Sequence, residues 1–115
     1  MRVGQIVWFR FIWIISLQVN TTGGRPFIKN GSEESKILAE RIQESIKKSV
    51  SLPNTRTALP IENIKLIDKS KIPAVIVECG FLSNEEEKNL LQQEEYQNKL
   101  VQGMVEGVLS LWEEP

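Results

Sequence analysis

Histidine is absent from all 115 residues, and cysteine occurs once, at Cys79. The first absence excludes the Ser-His and Cys-His pairs that activate nucleophiles, and leaves a transition metal only carboxylates and one thiol. The second excludes an internal disulfide and any multi-cysteine metal cluster, so cysteine usage does not identify the redox compartment. An excess of one charge is missing too. Fourteen Lys and Arg against fifteen Asp and Glu give a formal charge of −1, which supplies no field to gather phosphates or hold the chain on anionic lipid. Neither nucleic acid nor a membrane is an expected partner. Long apolar runs are lacking as well: Arg10 splits the N-terminal stretch into runs of four (Ile6 to Phe9) and five (Phe11 to Ile15). A secretory core needs about 7 to 15 uninterrupted apolar residues and a spanning helix about 20, so no convincing signal peptide or membrane span is read here.

With 41% apolar and 25% charged positions, the chain has the composition of one compact domain. A chain of this length buries roughly 60 to 70% of its unfolded surface, enough for a core with little margin. Residues 11 to 19, rich in β-branched and aromatic side chains, predict a buried strand. The closely spaced breakers of Asn20 to Gly31 predict a loop. Asn30, with Glu33 three residues on, predicts the capped start of a helix whose apolar stripe runs through Ile37, Leu38, Ile42, Ile46 and Val50. Pro53 and Asn54 end it. The short run Ile64 to Ile67 predicts a strand, and Ala74 to Val77, after Pro73, predicts a strand covered on both faces at the centre of the sheet. Ser83 through Glu86 match a capping box, which predicts a short helix through Leu90 and Leu91. Tyr96, Leu100, Met104 and Val108 recur at helical period within a second long helix over 94–113, where Gly103 and Gly107 allow close packing. Strands interleaved with helices make an α/β fold, a small mixed sheet flanked by helices.

Glu78 is the candidate for chemistry on residue grounds alone. It is a carboxylate ending a buried apolar run, with no basic residue beside it in sequence, followed by Gly80, which permits a bend. Desolvation raises a carboxyl's pKa, the usual route to a general acid or base working near neutrality. The ordinary alternative is that the strand surfaces there. Strand ends of α/β sheets are nonetheless where ligand sites gather.

The segment IPAVIVECGFLSNEEE, residues 72 to 87, closely resembles the active-site segment of zinc-dependent N-acetylmuramoyl-L-alanine amidases. The likeness includes the proline, the strand, the glutamate and the glycine-aromatic-aliphatic-Ser-Asn turn into an acidic helix. It extends through SEESKILAERIQ (32–43), IKLIDKSKIPA (64–74) and EEYQNKLVQGMVEGV (94–108), with a tone closest to sporulation and germination amidases. The resemblance implies hydrolysis of the amide between N-acetylmuramic acid and L-alanine in peptidoglycan, with Glu78 acting beside a zinc-bound water. In such a site zinc lowers the pKa of its bound water to about 7 while the carboxylate carries the proton to the leaving amine.

The same resemblance implies a departure. The family holds zinc through two histidines and a glutamate from its N-terminal half, and this chain has no histidine. ISLQVN (15–20) resembles the family strand end Ser-X-His-X-Asn, with Gln18 at the ligand position, and it reads equally as an ordinary strand end. Gln18 is therefore assigned no function. The expectations are an amidase-family domain that is inactive alone, binds no zinc itself and is encoded by a truncated gene. Residues 1–24 would be a degenerate or miscalled segment and 25–115 the C-terminal portion of the catalytic domain. Its site of action would be extracellular, at the cell wall or spore cortex. The alternative is a non-catalytic peptidoglycan- or muropeptide-binding remnant, with self-association through an exposed sheet edge. Weaker candidates have simpler readings: Cys79 as an inert buried thiol, Ser83 as a cap, Trp8, Trp13 and Trp112 as core, and Glu85 to Glu87 as a solvated helix start.

Overall fold

The structure is a computed structural model that describes residues 14–16, 23–52, 54, 56–81 and 83–111. Its elements are β1 (Ile14–Ser16), β2 (Arg25–Lys29), α1 (Glu33–Val50), β3 (Leu59–Ile61), α2 (Lys65–Asp68), β4 (Val75–Phe81), α3 (Glu85–Leu91) and α4 (Glu94–Leu109). The four described strands form one mixed sheet in the order β1-β4-β2-β3. β4 runs parallel to β1 and antiparallel to β2, and β2 runs parallel to β3. This is the expected α/β arrangement, with the expected central strand flanked on both sides.

The two long helices supply most of the core. α1 and α4 lie against each other, and Leu38, Ile42 and Ile46 gather with Leu100, Met104 and Val108 in one buried cluster that also takes in Cys79 of β4. Gly103 and Gly107 make this approach close. A Cβ at Gly103 would stand 2.7 Å from the Ile46 Cα, and one at Gly107 2.6 Å from the Ile42 Cα, so only glycine lets the two backbones come this near.

Local structure departs from the sequence expectations in five places. The stretch expected as a loop contains β2, because pairing to β4 on one side and β3 on the other satisfies the backbone of RPFIK despite its flanking breakers. The run Ile64 to Ile67, expected as a strand, instead enters α2 from Lys65 on, with Ile67 1% exposed, while the edge strand forms earlier, at β3. Three apolar residues within a run of four do not distinguish the two periods. The cap of α1 is Ser32 rather than Asn30: its Oγ accepts from the Ser35 N–H at 3.2 Å and donates to the Ser35 Oγ at 2.9 Å. The cap of α3 is Asn84 rather than Ser83, its Oδ1 accepting from the Glu87 N–H at 3.0 Å. Finally, β4 does not stop at Glu78 but continues to Phe81.

That continuation is irregular. Against β1, Ile14 lies opposite Glu78 while Ile15 lies opposite Gly80, so Cys79 has no opposite number and forms a bulge. A bulge advances a strand by one residue and changes which face the following side chains join. Cys79 goes to the helical core, and Phe81, fully buried, is drawn to the side of Glu78, where the Arg56 guanidinium lies over its ring.

Candidate active site

Glu78 lies in mid-strand and is 8% exposed, on the border of a cavity of about 230 Å³. The cavity opens between α1, β4, α3 and α4, lined on its polar side by Gln43, Asn54, Glu78 and Glu87 and on its apolar side by Ile46 and Leu100. The backbone of Gly24, just before β2, lies directly on the Glu78 carbonyl. A Cβ there would overlap that oxygen, which makes glycine obligatory.

The electrostatics around the carboxyl are mixed. Burial pushes the Glu78 carboxyl above its ordinary value, as desolvation of a strand-borne carboxylate is expected to do; Arg56 and Arg25 pull it back, and Glu87 adds to the rise. Arg56 Nη1 stands 3.6 Å from Glu78 Oε1, an ion pair between two largely buried side chains. Cys79 is the reverse of a reactive thiol. Burial, reinforced by the neighbouring Glu78, pushes it up to about 12, which supports the reading of an inert packed residue.

Around the pair, polar side chains bind two backbone segments together. Arg56 Nη1 donates to the Gly23 carbonyl at 2.7 Å, and Asn54 Nδ2 donates to the Gly24 carbonyl at 2.8 Å. The Gln43 amide of α1 bridges both segments, donating to the Gly24 and Arg56 carbonyls, each at 3.1 Å. Glu87 Oε1 accepts the Gly23 N–H at 2.6 Å. Glu87 is thus tied to the turn before β2, whereas Glu85 and Glu86 are exposed as the solvated-helix-start reading expects.

Of the residues singled out from sequence, Glu78, Cys79 and Glu87 converge here, and Gln18, Trp8, Trp13 and Trp112 lie outside the described residues. Arg56, Gln43 and Asn54 were not anticipated. Nothing in their local sequence marks them, since Arg56 stands 22 positions before Glu78, between α1 and β3, and only the fold brings it to the carboxyl.

The donor chemistry does not fit a zinc site of the two-histidine, one-glutamate kind. The chain holds no histidine. Among the described residues no three Cys, Asp or Glu side chains gather to hold a metal ion, and the charged groups nearest Glu78 include two arginines, which repel a cation.

Comparison with known proteins places this geometry. Residues 14–110, most of the chain, match the family model for N-acetylmuramoyl-L-alanine amidase. The chain is 30% identical over 93 residues to the germination-specific N-acetylmuramoyl-L-alanine amidase of Bacillus subtilis, covering 81% of this chain and 39% of that protein. It is 27% identical over 82 residues to the probable cell wall amidase LytH of Staphylococcus saprophyticus, covering 71% of this chain and 28% of that protein. Among solved structures, the CwlD amidase of Clostridioides difficile, determined in complex with the GerS lipoprotein, superposes with a TM-score of 0.80 at 35% identity, over 88% of this chain and 51% of that one. An N-acetylmuramoyl-L-alanine amidase from Clostridium difficile 630 superposes with a TM-score of 0.74 at 31% identity, over 84% and 52%. The chain therefore spans only about half or less of the relatives it matches. A family match over most of its length, joined to a close superposition of the sheet and its helices, means that this chain belongs to the N-acetylmuramoyl-L-alanine amidase family.

Proposed function

We propose that this chain acts in peptidoglycan amide hydrolysis, at the bond between N-acetylmuramic acid and L-alanine, with Glu78 as the proton-handling carboxyl. In this reading residues 25–115 are the C-terminal portion of the catalytic domain, and the site of action is the cell wall or spore cortex. The observation that carries it is the placement of Glu78: buried, bordering a cavity, and with its proton held more tightly than an ordinary carboxyl holds it. Hydrolysis of an amide needs a proton taken from water and one delivered to the departing amine, and a carboxyl that holds its proton more tightly than an ordinary one is suited to do both in turn.

The family is zinc-dependent, and the donor set of this chain does not fit that metal. Glu78 is therefore the catalytic carboxyl of the family's scaffold in a chain that does not turn over alone. The test is hydrolysis of purified peptidoglycan with and without added zinc, read as newly freed L-alanine amino groups, alongside zinc stoichiometry. No turnover and no stoichiometric zinc are expected. Turnover that survives in Glu78→Gln would overturn the assignment of Glu78, and turnover lost in that variant would overturn only the inactivity.

The misfit of the donor set also favours a second reading, a non-catalytic peptidoglycan-binding protein. Co-sedimentation with purified peptidoglycan tests the ligand that both readings share. Binding without hydrolysis agrees with either, so the deciding result is hydrolysis, and an absence of both binding and hydrolysis removes peptidoglycan as the ligand.

A further inference from the structure

Glu78 is buried, yet the charge that most favours its ionised form, Arg56, does not depend on it for its own place. The Arg56 guanidinium donates to the Gly23 carbonyl at 2.7 Å and lies over the Phe81 ring with 5.1 Å from its central carbon to the ring centroid. Its backbone is fixed at both ends: the N–H donates to Asn54 Oδ1 at 2.9 Å, and the carbonyl accepts from Gln43 Nε2 at 3.1 Å. The ring is in reach because the bulge at Cys79 carries Phe81 to this side of β4. Arg56 is therefore seated by a turn, an aromatic face, an asparagine and a glutamine before any contact with Glu78 is counted.

The contact itself is loose. At 3.6 Å the guanidinium is beyond good hydrogen-bond distance from Glu78 Oε1, so it acts as a nearby charge and leaves the carboxylate's acceptor positions open to the cavity. We propose that Arg56 is a positioning residue for Glu78: a cation fixed by other groups that holds the carboxyl at the cavity border without occupying its oxygens.

The other charged and titratable groups facing the carboxyl do not replace it. Arg25, its partner across β2, also attracts, but less; Glu87 of α3 repels. Cys79 and the Tyr96 phenol of α4, both pushed up chiefly by burial, stay neutral near neutral pH. An arginine suits the seat because its planar guanidinium can stack on a ring and donate sideways at once, whereas a lysine ammonium is a point charge.

This inference rests on Glu78 being the working carboxyl, and its test reads the carboxyl directly, without turnover. Carboxyl-carbon NMR titration of the full chain follows Glu78, assigned through Glu78→Gln, in the unaltered chain and in Arg56→Met, Arg56→Lys and Arg25→Met. In Arg56→Met the ratio of ionised to protonated Glu78 at a given pH is expected to fall roughly tenfold, the low end of what an opposite charge within a few ångströms supplies. Arg56→Lys recovers part of it, and Arg25→Met causes a smaller fall. An unchanged titration in folded Arg56→Met, or a fall in Arg25→Met equal to or larger than that in Arg56→Met, would overturn the proposal.

Should Arg56→Met fail to fold, two measurements still decide. Arg56→Lys must titrate measurably higher than the unaltered chain. In Glu78→Gln, the Arg56 side-chain N–H signals must keep their slow exchange, because the seat does not include Glu78; their loss overturns the claim. Failure here leaves the catalytic assignment of Glu78 standing, and inactivity on peptidoglycan leaves this one standing.

Discussion

Between α1 and α4, isoleucines, leucines and a methionine meet across two glycines, with Ser49 Oγ donating to the Lys99 carbonyl at the exposed edge, whereas around Glu78 most contacts are directed ones between a side chain and a backbone carbonyl or N–H. The first region draws its stability from area removed from water, a force that tolerates small adjustments of angle. The second draws on polar groups that are costly when unpaired, and therefore accepts one arrangement. β4 borders both. Cys79 faces the helical cluster and Glu78 the polar corner, so a single strand joins the region that keeps the chain folded to the region that holds its candidate carboxyl. The lesson is a division of labour: apolar packing holds the helix pair, directed polar contacts hold the corner, and the two meet where Ile46 and Leu100 line the cavity that Glu78 borders.

The sharpest way to break that division is Met104→Ala. Met104 is buried in the cluster and does not line the cavity, and its truncation is expected to cost about 3 kcal/mol in denaturant unfolding while the Glu78 titration in the remaining folded chain stays put. A shifted titration would mean the two regions are one. Next is Gly107→Ala, expected to cost about 2 kcal/mol, since the added methyl meets the Ile42 Cα and the Arg41 carbonyl, neither of which is a movable side-chain tip. A loss below about half a kcal/mol would show that α1 and α4 can slide apart freely.

The corner answers to a different substitution. Gln43→Leu removes the donor that bridges the Gly24 and Arg56 carbonyls, and an expected loss of about 1.5 kcal/mol should come with faster amide exchange at Arg56 and Gly24. An unchanged exchange pattern would show that Asn54 and the Arg56 guanidinium hold the two segments without it.

The smallest expected effect is a slope with pH. The folded chain holds the Glu78 proton more tightly than the unfolded chain does, so this group's contribution to stability is complete below the ordinary carboxylate value and is lost as pH rises through the raised folded value. Subtracting the stability of Glu78→Gln from that of the unaltered chain should give a difference that declines across that window. A difference that rises instead would mean Arg56 and Arg25 outweigh burial.

Helices were the most legible part of the sequence because their evidence repeats. The stripe from Leu38 to Val50 and the one from Tyr96 to Leu111 each return every three or four residues, and α1 and α4 form where they run. β4 was legible because four apolar residues after a proline can hardly be anything but covered. The shorter elements were not. β2 is a strand only because two neighbours pair with it, and Ile64 to Ile67 turned helical where a strand was expected. The candidate site was half legible: Glu78 announces itself, being a charge at the end of an apolar run, while Gln43, Asn54 and Arg56 are ordinary polar residues until the fold brings them together.

By itself the sequence determined the two amphipathic helices, the central buried strand with its carboxyl, the likeness of residues 72–87 to an amidase active site and the absence of any histidine to bind zinc. These are properties of composition and short-range order, which the chain carries whether or not it is folded. The tertiary structure alone decided that Cys79 bulges out of register, that Phe81 thereby crosses to the side of Glu78, and that Arg56 is seated over that ring 3.6 Å from the carboxyl. Strand pairing brings together groups more than twenty residues apart, and how strongly a buried carboxyl holds its proton depends on the charges that such pairing sets beside it.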